Sequence, residues 1–103
     1  MPDNSQSQAR MRGNILRILK EEAPDWLTLE NVFSILDYQG KGLEKDDLLI
    51  QLDYLTGKGK EYVQMREVRG ERSRQKIREF KLTPRGIDLY DCNNDVSDEG
   101  IIF

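Results

Sequence analysis

Ten basic residues fall between Gly57 and Gly86: Lys58, Lys60, Arg66, Arg69, Arg72, Arg74, Lys76, Arg78, Lys81 and Arg85. The same stretch holds four acids, Glu61, Glu67, Glu71 and Glu79. Arginine and lysine at this density are suited to holding phosphate or another oxyanion. The rest of the chain holds six basic and fifteen acidic residues, so a net charge of −3 conceals a local cationic element. An acidic whole argues against a generic polyanion binder. Any anion contact should therefore centre on this stretch.

Catalytic chemistry finds little support. There is no histidine, which removes the commonest general base and the commonest metal ligand. Cys92 is the only cysteine, so no intrachain disulfide can form, and nothing beside it in sequence would activate a thiolate. Glycine-rich phosphate loops and paired-carboxylate motifs are missing. The acids Asp91, Asp95, Asp98 and Glu99 do not follow the spacing of an EF-hand loop. No enzymatic activity, metal or other cofactor is expected.

A chain of 103 residues suits one domain with one modest core. Charged residues make up 34%, above the usual value of about 25%, so the excess belongs on solvated faces and in tails. No run approaches the roughly 18 apolar residues of a membrane span, and Met1–Gln6 lacks the apolar core of a signal peptide. A soluble cytoplasmic protein without a membrane partner is the expectation.

The elements that must carry the cations can be read from periodicity. Residues 1–9 are polar and are expected to form a disordered tail. Met11, Ile15, Ile18 and Leu19 predict a first helix from Ala9 to Glu22, stopped by Pro24. Trp26, between this helix and the next, is expected to pack in the core. Thr28 is a candidate N-cap for a second helix with Leu29, Val32, Phe33 and Leu36 on its apolar stripe. After the breaker Gly40-Lys41-Gly42, Leu48, Leu52 and Leu55 define a third helix from Leu43 to Thr56, with Gly57 as its C-cap.

The period then changes to two. Tyr62–Arg69 and Lys76–Leu82 read as a hairpin whose tip is Gly70–Gln75. Thr83-Pro84 opens a closing helix with Ile87 and Tyr90 facing the core. Residues 92–103 are expected to form an acidic, solvated tail; its apolar end, Ile101-Ile102-Phe103, suits docking on the domain or on a partner. Three helices and a hairpin must share one core, since neither layer can bury its apolar face by itself. The fold class is α+β, with the domain spanning residues 10–91.

Three segments carry a resemblance. Leu52-Asp53-Tyr54-Leu55 followed by Gly57-Lys58-Gly59 resembles the LxYLxxKG end of the third helix in winged helix-turn-helix proteins. Tyr62-Val63 resembles the first wing strand, and Leu82-Thr83-Pro84-Arg85-Gly86-Ile87 resembles the LTPxGI start of the closing helix. In this order they are similar to regulators of the MarR-like and PadR-like class, and to small stand-alone winged helix proteins often carried by phages. The resemblance implies a three-helix bundle, a two-stranded β-hairpin wing and a closing helix. It also implies contact with double-stranded DNA and a role in transcription regulation. Two features depart from it. Lys60-Glu61 lengthens the connection to the wing, and the third helix lacks the basic residues of DNA-reading members.

On such a domain, base edges are read by the exposed face of the third helix. At about 100° per residue, Leu48, Leu52 and Leu55 point inward while Asp46, Asp47, Ile50, Asp53 and Tyr54 point out, with Leu49 at the margin. Three carboxylates repel phosphate, so this face suits a second copy or a protein partner better than DNA. Lys45 and Gln51 lie nearer its inner flank as polar candidates. The candidate DNA contacts are therefore Lys45, Gln51, Lys58 and Lys60, with Arg66, Arg69, Arg72, Arg74, Lys76 and Arg78 on the hairpin. Set against this is a solvated hairpin partly paired with its own Glu67, Glu71 and Glu79. Two readings follow. One is a DNA-binding regulator acting through the hairpin. The other is a protein-interaction module acting through the acidic and apolar helix face.

Overall fold

The computed structural model of the chain describes residues 4–40, 44–70 and 75–103. Among these residues the chain forms four α-helices and one three-stranded antiparallel sheet. This α+β order is compatible with the expected architecture.

Helix α1 spans Asn4–Glu21 and buries Ala9, Ile15, Leu16, Ile18 and Leu19. It starts five residues before the position set by its apolar spacing, so residues 4–9 are helix where a disordered tail was expected. The reason is a long-range contact. The carbonyl of Ala9 accepts the Ile102 backbone N–H at 3.1 Å, so a distant segment braces the early turns.

Strand β1, Leu27–Thr28, leads directly into helix α2, Leu29–Tyr38. Thr28 caps α2 through a reciprocal pair: its hydroxyl accepts from the Asn31 N–H at 3.0 Å, and its own N–H donates to the Asn31 side chain at 3.1 Å. Helix α3 spans Lys45–Thr56 behind Glu44, with Asp46 and Asp47 in the first turn, where the helix dipole favours them. Leu48, Leu52 and Leu55 are buried as the spacing requires. Gly57 ends the helix in an extended conformation; the left-handed turn that redirects the chain comes at Gly59, where φ is +91°.

Strands β2, Val63–Arg69, and β3, Lys76–Leu82, pair in the register Val63↔Leu82 through Arg69↔Lys76. Strand β3 is central, with β1 on its other edge in the register Leu27↔Phe80. Val63, Phe80, Leu82 and Leu27 turn one sheet face into the core shared with α1, α2 and α3. Helix α4 spans Pro84–Asp91, with Thr83 accepting from the Gly86 N–H at 3.0 Å. Gly86 and Leu89 are its buried residues, while Ile87 and Tyr90 are half-buried.

Residues 92–103 are largely exposed but not a free tail: Val96, Asp98 and Gly100 are half-buried and seat the segment on the domain. A short 3-10 turn at Asn93–Asp95 leads back across α1, Ile101 is buried, and the Phe103 ring meets Tyr90 edge-on at 5.1 Å. Gly13 makes this path possible, because a Cβ there would collide with the carbonyl oxygen of Ile102.

Gly13→Ala should therefore lower stability by about 1–3 kcal/mol, as overpacking does. Gly→Ala inside a free helix instead raises stability by roughly 0.5–1 kcal/mol. Urea unfolding reads the sign. A variant as stable as the parent, or more so, would mean that the C-terminal segment does not seat on α1.

Candidate nucleic-acid interface

The hairpin strands carry Arg66, Arg69, Lys76, Arg78 and Lys81 against Glu67 and Glu79. Strand alternation divides these into two faces. Val63, Phe80 and Leu82 are buried on the inner face, which places Gln64, Arg66, Val68, Ile77, Glu79 and Lys81 on the outer one. Arg66 Nε donates to Glu79 Oε1 at 2.8 Å. Glu67 is shared by Lys76 at 3.7 Å and Arg78 at 4.0 Å. These pairs are exposed, and pairs of that kind contribute about 0–1 kcal/mol each, so an incoming phosphate can compete for the cations. Arg69 is exposed at the end of β2. Arg72 and Arg74 lie outside the described residues.

Trp26 belongs to this outer face and not to the core, where sequence reasoning put it. Its ring is half-buried, with the Arg66 guanidinium 4.1 Å and the Lys81 ammonium 5.6 Å from its centroid. The cause is the β1–β3 pairing, which carries the residue before Leu27 alongside Lys81.

Helix α3 offers a different surface. Asp46, Asp47 and Asp53 are exposed around Ile50, itself 57% exposed, and Leu49 is half-buried. Gln51 is not on that surface. It is 4% exposed, and its Oε1 accepts from Arg12 Nε at 2.7 Å, so its amide is not free to read a base. Lys45 is held at the edge by Glu30 at 2.7 Å and lies 5.3 Å from the Phe33 ring centroid. Lys58 is exposed in the turn after α3.

Lys60 and Tyr54 have internal duties instead. Both converge on Asp98, whose side chain is 5% exposed. Asp98 Oδ2 accepts from Lys60 Nζ at 2.9 Å and from the Tyr62 hydroxyl at 2.9 Å. Its Oδ1 accepts from the Tyr54 hydroxyl at 3.1 Å and from the Gly100 N–H at 2.8 Å. Arg12 completes the cluster: it lies 3.6 Å from the Tyr54 ring centroid and donates to the Gly100 carbonyl at 2.9 Å. Arg85 braces the loop by donating to the Lys60 carbonyl at 2.8 Å. Sequence reasoning placed Asp98 in a free tail and missed this role.

The electrostatics follow from that geometry. Burial by itself pushes the Asp98 carboxyl up, but the donors Lys60, Gly100, Tyr62 and Tyr54 together outweigh it and hold the carboxyl below its usual range. The hydrogen bond to Asp98 raises the Lys60 ammonium. Burial, followed by the bond to Asp98, raises the Tyr62 phenol.

Among the described residues, no group of three or more His, Cys, Asp or Glu comes together as a metal would need, and no helix is long and apolar enough to cross a membrane. Comparison with known proteins found no matching family model, no matching curated protein and no matching solved structure.

A depressed carboxyl contributes stability that is present above its unfolded pKa and lost as pH falls through the folded one. The parent should therefore lose thermal stability below about pH 4. Lys60 and Tyr62 are raised, so their contribution should vanish only above about pH 10. Asp98→Asn should cost about 1–3 kcal/mol at neutral pH and flatten the acid limb of a melting-temperature profile. An unchanged acid limb would show that Asp98 does not clamp the segment.

Proposed function

We propose that this chain is a winged helix-turn-helix DNA-binding protein of the regulator class, in which the β2–β3 hairpin is the wing and supplies the main contact with duplex DNA. The observation that carries the reading is the charge of the hairpin. Five cations and two carboxylates sit on two strands of a chain whose net charge is −3. A hairpin of this charge can lie along the phosphate backbone or insert arginine into the minor groove.

Helix α3 has an auxiliary role in this reading. Its exposed carboxylates oppose phosphate, and Gln51 is engaged with Arg12. Base reading through the major groove is therefore weak, and affinity rests on backbone contact, which is largely sequence-independent.

A second reading has its own observation. Ile50, exposed within a ring of Asp46, Asp47 and Asp53, is the form of an apolar anchor with a polar rim. Such a face suits a protein partner or a second copy and does not compete with the hairpin for DNA.

Two outcomes are expected. The double variant Arg69→Ala, Lys76→Ala should keep its melting temperature but weaken binding to random duplex. Its salt slope should become shallower by about 0.9 per lost phosphate contact, read by fluorescence anisotropy. Unchanged affinity would remove the hairpin from the interface. Ile50→Asp should leave DNA affinity within about threefold, since that residue has little to read but a thymine methyl. It should abolish any self-association in sedimentation velocity; a parent that stays monomeric at high concentration would count against the second copy as the occupant of this face.

A further inference from the structure

We infer that the outer sheet face at Trp26, Arg66 and Lys81 is a second phosphate-binding point for duplex DNA, set apart from the far end of the hairpin. It rests on the DNA-binding reading above and deepens it.

The geometry has three parts. First, two cations share one aromatic ring. Arg66 and Lys81 both lie over Trp26, at 4.1 and 5.6 Å from its centroid. They attract the ring and repel each other. Only one carboxylate, Glu79, is paired in this group, and it is bonded to Arg66. Among the described residues no carboxylate pairs with Lys81. The group keeps an uncompensated positive charge that a phosphodiester oxygen would neutralise.

Second, Arg66 is already ordered. Its Nε donates to Glu79 and its guanidinium rests on Trp26, while its side chain remains 47% exposed. Among the described residues only its Nε is bonded, which leaves the four N–H donors on the Nη atoms. A guanidinium fixed in advance loses less freedom on taking up a phosphate. Gln64, exposed and directly across from Lys81 in the strand register, adds an amide donor on the same face.

Third, the site spans the whole sheet. Trp26 precedes β1, Arg66 lies on β2 and Lys81 on β3, the central strand. Its inner face is anchored by the buried Phe80 and Leu82. Arg69 and Lys76 lie in the opposite strand phase at the far end of the hairpin, so a duplex seated on the outer face meets this site at the sheet's base and reaches that pair only around the hairpin's end. Two points fix orientation where one would not.

Trp26 is the only tryptophan in the chain, so its emission reports this site. Random-sequence duplex should change Trp26 fluorescence with the same midpoint that anisotropy gives. Lys81→Gln should keep its circular dichroism and melting temperature, weaken binding several-fold, and make the salt slope shallower by about 0.9. Arg66→Lys keeps the charge but loses the planar stack, and should also weaken binding. Duplex binding by anisotropy with Trp26 emission unchanged and the Lys81→Gln slope unaltered would overturn this site and leave the hairpin reading standing. No binding of duplex by the parent chain would overturn both.

Discussion

A hairpin with five cations against two carboxylates carries a net repulsion, so the rest of this structure depends on how β3 is fixed. Its inward residues Phe80 and Leu82 are buried with Val63 and Leu27, between α1, α2 and α3. Apolar burial there offsets the repulsion among Arg66, Arg78 and Lys81 on the same two strands. The pairing with β1 and β2 on both edges then sets which side chains face out. Thr83 continues the constraint beyond the sheet: its hydroxyl donates to the Glu61 carbonyl at 2.6 Å and accepts the Gly86 N–H. The base of the hairpin and the start of α4 are thereby locked together. The close approach of the Tyr62 carbonyl to Gly86, which leaves no room for a Cβ, is part of the same junction.

The second organising element is the carboxylate of Asp98. It gathers two tyrosines and a lysine that would otherwise end exposed in the turn after α3. The result separates the chain's cations into two groups. Arg12 and Lys60 serve the fold, and the hairpin residues remain at the surface. The acids divide similarly, with Asp98 inside and Asp46, Asp47 and Asp53 outside on α3. The net charge of −3 is therefore a poor guide to either surface.

Much of this architecture was legible in the sequence, because local signals set it. The Leu48, Leu52, Leu55 stripe, the Thr28 cap, Thr83-Pro84 and the alternation around Phe80 each act over a few residues. Partial pairing of the hairpin with Glu67 and Glu79 was also foreseeable from proximity. What escaped was non-local. Strand β1 has two residues, too short for any period to show. The role of Trp26 follows from cross-sheet register and not from its own neighbours. Asp98 meets partners 36 to 44 positions away in the chain, and Gln51 meets one 39 away. An acidic run without periodicity gives no sign of such a partner set, and so the C-terminal segment looked like a tail.

The claim on which the account turns is that this acidic chain binds duplex DNA through a cationic sheet. The most direct measurement is fluorescence anisotropy of a labelled random duplex, titrated with the parent protein at salt concentrations from about 50 to about 200 mM. The account predicts binding at low salt and a straight fall of log affinity with log salt, with a slope steeper than about −2, as contacts at more than one phosphate require. No binding at the lowest salt, or an affinity indifferent to salt, would contradict it.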